Sequence, residues 1–213
     1  MSPSSRAIGT SACARCGRTV AGVKVRRAAA DDLDGMVEVM YAEPGVEQIA
    51  FMPTISGGRR FSRTLWGHAG LHEFFVADDE GSVVGFAWVS EHEMSLRAGA
   101  CAAVTGWGPF GPCRLVLKGW PRQLVEIAVP EGPTLIELQV HPSRRGKGIG
   151  SMLLRHVIDS VGHRSLSLTT RSDNPARRLY ERHGFSVTSE KSHRSYERRT
   201  GNKGRILMTR LAR

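Results

Sequence analysis

The sequence has no long apolar segment and few cysteines, and both absences narrow the class of protein. No run of 18 apolar residues occurs, so a transmembrane helix is not expected. Residues 1–19 lack the apolar segment of a secretory signal. The four cysteines, in a chain without such a signal, are expected to be reduced thiols. We therefore predict a cytoplasmic protein that has no membrane partner.

Composition also argues against two kinds of binding site. Aromatic residues make up 7% of the chain and are not interleaved with basic residues, as a stacking surface for nucleic acid requires. The C-x-x-C pair of Cys13 and Cys16 is not followed by a second pair about 15–20 residues later, as a zinc ribbon requires. Cys101 and Cys113 are distant from it in sequence. We predict no bound metal.

Positive charge, by contrast, is in excess and is unevenly distributed. The net charge is +10, with −8 over residues 28–140 and +12 over residues 141–213. Residues 1–27 carry six Lys or Arg and no acid. This pattern fits an anionic cofactor on one side of a site and a cationic substrate on the other. It fits equally a basic protein with solvated tails. A nucleic-acid-binding module that uses the tail and the C-terminal half is an alternative that the few aromatic residues disfavour.

Patterning divides the chain into a flexible basic tail over 1–22 and one α/β domain over 23–213. We expect a strand at 23–26, then a helix capped by Asp31 or Asp32 that runs to about Tyr41. Residues 43–70 are expected to hold a second short helix and a mobile loop. Residues 91–133, after a β-hairpin, are expected to form an insertion with one or two helical pieces. The hairpin is predicted from strands at 74–77 and 83–89 around an acidic, glycine-containing turn.

Strands and helices alternate in the C-terminal part, which predicts parallel neighbouring strands. The predicted strands cover 135–140, 165–170, 185–189 and 205–210, and the predicted helices cover 148–161 and 175–183.

The segment 140–151 has the pattern of a strand, a phosphate-binding loop and a helix start. Glycines at alternate positions let the backbone bend tightly and approach a ligand closely. The free N–H groups of a following helix can then bind phosphate oxygens. The segment holds three glycines and three basic residues, namely Gly146, Gly148, Gly150, Arg144, Arg145 and Lys147.

Two common phosphate motifs do not match this segment. A dinucleotide motif G-x-G-x-x-G that begins at Gly146 needs glycine where Ser151 stands. A P-loop needs Ser or Thr after its G-K, and Gly148 follows Lys147 instead.

The run Arg145-Gly-Lys-Gly-Ile-Gly150 after Leu138-Gln-Val-His-Pro142 resembles the acetyl-CoA motif R/Q-x-x-G-x-G/A of the GNAT acetyltransferase superfamily. A second block, residues 173–185, resembles the later GNAT motif N-x-x-A-x-x-L-Y-x-x-x-G-F. The first position of that block is Asp173, with Asn174 next to it, so either side chain is a candidate for contact with the cofactor. The resemblance covers 134–188 firmly and extends to 23–90 through the order of elements.

The resemblance implies the GNAT fold, an α/β domain with a mixed central sheet of about six to seven strands and about four flanking helices. The insertion would lie between the third and fourth strands. The main chain of Leu138, Gln139 and Val140 would pair with the pantetheine arm of acetyl-CoA. The pyrophosphate would be held by the main chain of Gly146, Lys147, Gly148, Ile149, Gly150 and Ser151.

The resemblance also implies Tyr180 as the general acid that protonates the leaving thiolate. An attacking amine must first lose a proton, which at pH 7 costs about 4.6 kcal/mol for a lysine-like amine and about 1 kcal/mol for an α-amine. Glu137, on the same strand face as Gln139, is the favoured general base, and Glu91 and Glu93 are alternatives.

These features predict an N-acetyltransferase that moves acetyl from acetyl-CoA to a primary amine by direct attack on the thioester. The acceptor, a small cationic amine or a protein or peptide amine, stays open. The alternatives are the nucleic-acid-binding module and an inactive CoA-binding sensor. The sequence leaves the oligomeric state open, a homodimer included.

Overall fold

The computed structural model describes residues 22–92 and 95–212. Its helices and strands follow in the order β1 Val23–Arg27, α1 Leu33–Tyr41, α2 Val46–Phe51, α3 Ile55–Ala69, β2 Phe74–Asp79, β3 Ser82–Ser90, α4 Leu96–Trp107, α5 Gly111–Gln123, β4 Thr134–Val140, α6 Ile149–Val161, β5 Leu166–Arg171, α7 Arg177–Arg182, β6 Ser186–Ser192, α8 Arg194–Thr200 and β7 Gly204–Arg210. Residues 1–21 of the predicted tail, with Cys13 and Cys16, and the alternative base Glu93 lie outside the described residues.

All seven of these strands form one mixed sheet in the order β1-β2-β3-β4-β5-β7-β6. The predicted GNAT fold is confirmed. Only β4 and β5 run parallel, and the other neighbours are antiparallel. The prediction of parallel neighbours in the C-terminal part therefore holds at one pair. The antiparallel pairs arise because β7 enters the sheet between β5 and β6.

Two hydrophobic cores cover opposite faces of the sheet. Along β2, Phe75 and Ala77 belong to the core beneath α6, whereas Phe74 and Val76 belong to the core beneath α1 and α3. This alternation follows from the two-residue period of a strand. The sheet thus separates two cores that are built from different helices.

The predicted hairpin is present, and β2 pairs with β3. Its turn places Glu80 and Gly81 at φ +52° and +88°. Two successive residues with positive φ are typical of a type I′ turn, whose twist matches that of the flanking strands.

The helix α1 begins as predicted, but Asp32 does not cap it with its side chain. The carboxylate instead accepts from the N–H of Ala29 at 2.7 Å and from both terminal nitrogens of Arg26 at 2.7 and 2.9 Å. Asp32 therefore ties β1 to the start of α1. This pairing, more than the opposing effect of burial, lowers the pKa of Asp32.

The expected mobile loop within 43–70 is instead the long helix α3. The Thr54 side chain caps it by accepting from Gly57 N–H at 3.1 Å. This helix is not predicted from the sequence because Gly57 and Gly58 lower the helix propensity of the segment. Both glycines are buried, and Gly57 lies directly against Trp107 and Gly106 of α4, so packing compensates for the propensity.

The insertion lies between the third and fourth strands, as predicted, and folds into α4 and α5. These two helices and α8, which sequence patterning missed, raise the helix number above that expected from the resemblance. None of the helices in the described part of the chain has the length and apolar content that crossing a bilayer requires.

Candidate active site

A gap opens between β4 and β5 where their pairing stops. Only Thr134 with Ser167 and Leu135 with Leu168 are paired across these strands. The register between β3 and β4 shifts at the same level, between the pairs Trp88–Glu137 and Val89–Leu135, which leaves Ile136 as an extra residue. Such a bulge bends a strand and increases its twist. From Ile136 onward, one main-chain edge of β4 therefore faces the gap.

The N–H and C=O groups of successive residues of β4 point alternately toward β3 and toward the gap. This alternation separates the three residues predicted to bind the pantetheine arm into two groups. His141 N–H donates to Val84 O on β3 at 2.9 Å. By the period of two, Gln139 also directs its main-chain groups toward β3, and Leu138 and Val140 direct theirs into the gap. The geometry thus offers Leu138 and Val140, but not Gln139, as main-chain partners for a ligand in the gap.

The loop after β4 brings free N–H groups to the mouth of this gap. Gly146 and Gly148 have φ values of +77° and +87°, a region that disfavours any residue with a Cβ. The first backbone bond of α6 runs from Met152 N–H to Gly148 O. The N–H groups of Ile149, Gly150 and Ser151 precede it, so they lack partners within the helix and can bind an anion.

The basic residues of the loop differ in their surroundings. Arg144 forms an ion pair with Asp79 at 2.7 Å, and Lys147 is exposed. Arg145 contacts the carboxylate of Glu43 and donates from Nε to Val140 O at 3.2 Å. Arg145 therefore lies across the edge of β4 that faces the gap.

Asp173 and Asn174 lie between β5 and α7 and differ in their hydrogen-bond partners and exposure. Asn174 donates to Thr170 Oγ1 at 2.7 Å and accepts from Ala176 N–H at 2.9 Å. Both bonds anchor the start of α7 to the end of β5. Asp173 is exposed and pairs with Arg171 at 3.2 Å. The amide of Asn174 thus positions α7, and with it Tyr180.

Tyr180 is buried on α7, where its ring packs edge-on against Phe185. Burial, reinforced by the negative charge of Glu137, raises the pKa of Tyr180 well above its usual value. The phenol therefore stays protonated throughout the neutral range. Tyr180 and Glu137 are close enough for their charges to interact, although they come from opposite sides of the gap.

Glu137 lies beside Gln139 on the face of β4 that looks toward α1 and α3. Gln139 donates from Nε2 to Glu137 Oε1 at 2.7 Å. Burial raises the pKa of Glu137, and the bond from Gln139 partly offsets this shift. A carboxylate with a raised pKa is a better proton acceptor near neutral pH than an ordinary glutamate.

The alternative base Glu91 lies elsewhere. It follows the end of β3, beyond the pair Ser90–Thr134, and forms an ion pair with Arg164 at 2.7 Å. It is thus at the opposite end of β4 from the glycine loop, where β4 and β5 are still paired.

A buried polar cluster that the sequence analysis missed lies on the helical side of Glu137. The carboxylate of Glu47 accepts from Arg205 at 2.6 Å and from the Tyr196 hydroxyl at 2.8 Å. Arg205 also donates to Thr169 O at 3.1 Å, and Arg122 Nε is 3.9 Å from Glu47. The members come from α2, α5, α8, β5 and β7, so no local pattern could reveal them. One available signal was an arginine, Arg205, directly before the apolar run 206–208 of β7.

Burial favours the neutral form of Glu47, but the positive charges of Arg205 and Arg122 outweigh it and lower the pKa of Glu47. The cluster is therefore an ionised pair that joins α2 to the sheet.

The acidic and basic segments of the sequence meet in the fold through four ion pairs. Four acids of the segment 28–140 pair with arginines from the basic C-terminal segment, in the pairs Glu43–Arg145, Glu47–Arg205, Asp79–Arg144 and Glu91–Arg164. The sequence halves are therefore not separate acidic and basic surfaces. Among the described residues, no group of three or more His, Cys, Asp or Glu is arranged to bind a metal ion.

Residues 46–185, which include the gap, the glycine loop and Tyr180, match the model of the Acetyltransferase (GNAT) family. The chain belongs to the GNAT acetyltransferase family. Its enzymatic class is therefore acetyl transfer. No curated protein matches the sequence.

Solved structures share the fold at low sequence identity. An N-acetyltransferase from Staphylococcus aureus superposes with a TM-score of 0.66 and 16% identity, covering 87% of this chain and 99% of that one. A Corynebacterium glutamicum protein described as histone acetyltransferase HPA2 and related acetyltransferase superposes with a TM-score of 0.56 and 22% identity. The match covers 90% of this chain and 97% of that one. The PaiA N-acetyltransferase of Thermoplasma acidophilum, in complex with coenzyme A, superposes with a TM-score of 0.54 and 14% identity. The match covers 89% of this chain and 98% of that one.

Proposed function

We propose that this GNAT protein transfers an acetyl group from acetyl-CoA directly to a primary amine. The observation that carries the proposal is the gap between β4 and β5, with the main-chain groups of Leu138 and Val140 directed into it and the N–H groups of α6 at its mouth. A pantetheine arm carries amide groups that can pair with such an edge, and a pyrophosphate matches the start of α6. The coenzyme A complex of the Thermoplasma relative supports the same cofactor.

In this proposal Glu137 removes a proton from the ammonium form of the acceptor, and the neutral amine attacks the thioester carbon. The tetrahedral intermediate collapses, the C–S bond breaks, and the thiolate takes a proton from Tyr180. The second proton of the attacking nitrogen returns to the Tyr180 oxygen, which leaves an amide, a free thiol, a neutral Tyr180 and a protonated Glu137. The raised pKa of Tyr180 keeps the phenol protonated at neutral pH and requires that its proton move as the C–S bond breaks. No covalent enzyme intermediate is needed because the amine is itself the nucleophile.

The test is release of free CoA thiol with a panel of primary amines, including diamines, amino acids and peptides with a free N-terminus or lysine. We expect acetyl-CoA to raise the melting temperature and at least one amine to give turnover. Absence of stabilisation at millimolar acetyl-CoA would refute the cofactor assignment. Stabilisation without turnover on any amine would favour a CoA-binding sensor.

A further inference from the structure

The helix α5 of the insertion turns an apolar stripe toward solvent. A helix in a globular domain normally buries such a stripe against the core. Positions 110 and 117 are two helical turns apart, and 116 and 120 are one turn apart, so the stripe lies on one side of α5 and its N-cap. Its large members are Phe110, Val116, Leu117 and Trp120, with exposed fractions of 70%, 56%, 75% and 53%. Contiguous exposed apolar surface that includes Trp and Phe is typical of an interaction site.

A row of cations borders this stripe. Arg114, Lys118 and Arg122 follow at intervals of four residues on α5. Arg199 of α8 lines a neighbouring cavity of about 620 Å³ together with Arg114, Lys118, Leu117 and Trp107. Every charged side chain among the described residues that line this cavity is positive. Its occupant should therefore combine negative charge with apolar groups.

The surface leads toward the proposed catalytic gap. Arg122, at the C-terminal end of α5, lies 3.9 Å from the carboxylate of Glu47. Glu47 is bound to Arg205, which donates to Thr169 on β5, one of the two strands that border the gap. Arg122 is also close enough to Glu137 for its positive charge to oppose the raised pKa of that carboxyl. The C-terminal end of α5 therefore lies near Glu137.

We propose that the stripe of α5 and the adjoining cavity dock a polypeptide acceptor, whose segment beside the reacting amine carries both acidic and large apolar side chains. This inference rests on the proposed function, and it names the substrate class of that site. A second copy of this chain fits less well, because pairing two such surfaces would bring the two cationic rows together.

Binding can be measured without catalysis by fluorescence anisotropy. The probe is a labelled peptide of alternating Glu and Leu or Phe, with a blocked N-terminus and no lysine. The comparison peptide has Arg in place of Glu. We expect the acidic peptide to bind at least about tenfold more tightly, and the double variant L117S/W120S to lose about tenfold in affinity. R114E/R199E should lose affinity and flatten its salt dependence. The matched control is Leu211→Ser, which is 71% exposed but outside the stripe.

Several results would overturn the inference: equal affinity for the two peptides, or wild-type affinity in L117S/W120S at an unchanged melting temperature. Sedimentation that shows a dimer abolished by L117S/W120S would assign the stripe to a second copy. Co-sedimentation with phosphatidylserine vesicles, without peptide binding, would assign it to a membrane surface.

A catalytic experiment links docking to transfer. The acidic peptide with a free N-terminus should be acetylated, and L117S/W120S should raise its KM about tenfold with little change in kcat. Equal KM values would contradict the inference. If no amine is acetylated, the proposed function fails, whereas the anisotropy result still decides whether the surface binds acidic apolar peptides.

Discussion

The two sides of the gap are built on different principles. On the glycine-loop side, residues 134–185, the groups that face the gap are mostly main chain, supplied by consecutive residues. On the helical side, α2 to α5 with α8, the polar cluster beside Glu137 is made of side chains from distant segments, namely Glu47 of α2, Tyr196 of α8 and Arg205 of the neighbouring strand β7. Under the proposed function, the glycine-loop side would bind acetyl-CoA and the helical side would bind the acceptor. If so, substitutions on the two sides should have separable effects.

The largest expected effect is on the helical side, from Glu47→Ala. Arg205 is buried and would lose its carboxylate partner, which should cost about 3 kcal/mol of unfolding free energy. This value is at the lower end of the range for broken buried ion pairs, because Glu47 is partly exposed. Because the folded-state pKa of Glu47 is lowered, its stabilisation is present above the ordinary carboxyl pKa and is lost as pH falls. Urea unfolding of both proteins should therefore converge in acid.

The control for this variant is Glu126→Ala, which removes a surface pair with the same Arg122. We expect a loss below about 0.5 kcal/mol there. Equal losses for the two variants would mean that the buried cluster does not hold α2 to the sheet.

Glu137→Gln, at the boundary of the two sides, should lower kcat about 100-fold without weakening acetyl-CoA binding. The base must be ionised, so wild-type activity should rise with pH through the raised pKa of Glu137, and the variant should lose this dependence. A raised folded-state pKa stabilises the protein at low pH and costs stability once the group ionises. The variant should therefore melt no lower than the wild type at neutral pH. Retained activity would remove Glu137 from the mechanism.

Gly57→Ala and Gly67→Ala, both within α3, should have opposite signs. A methyl group at Gly57 would collide with Trp107 and lie 2.7 Å from Gly106 O, whereas no atom lies within 4 Å of one at Gly67. We expect a loss of about 2 kcal/mol for the first and a gain of about 0.5 kcal/mol for the second. Thermal melts measure the stability change of both variants. An unchanged stability of Gly57→Ala would contradict the close contact of α3 with α4.

The smallest effect expected on transfer is that of Gly148→Ala on the glycine-loop side. Alanine at φ +87° is strained and should displace the start of α6. We expect about tenfold weaker acetyl-CoA binding by calorimetry, with the amine KM unchanged at saturating acetyl-CoA. A change in the amine KM instead would show that the two sides are not separable.

The same contrast explains what the sequence could predict. The strand, glycine loop and helix of 134–161 are contiguous, so their period and turn residues predict both the elements and their order. Assignment of the gap needed the point at which β4 and β5 stop pairing, which lies next to the extra residue Ile136 and has no local signal. Within residues 43–70 the short helix is present as α2, but the loop prediction is wrong because Gly57 and Gly58 resemble loop residues until α4 is placed beside them. The preference for Glu137 followed from strand alternation, which places it beside Gln139.

A recognition edge made of peptide groups has an evolutionary consequence. The N–H and C=O groups of Leu138 and Val140 are the same whatever side chains those positions carry. Mutation can therefore replace most of β4 without altering what it offers to a ligand in the gap, provided that the apolar face still packs. Such an edge can be inherited with little change through lineages in which the surrounding helices have been rebuilt for new acceptors.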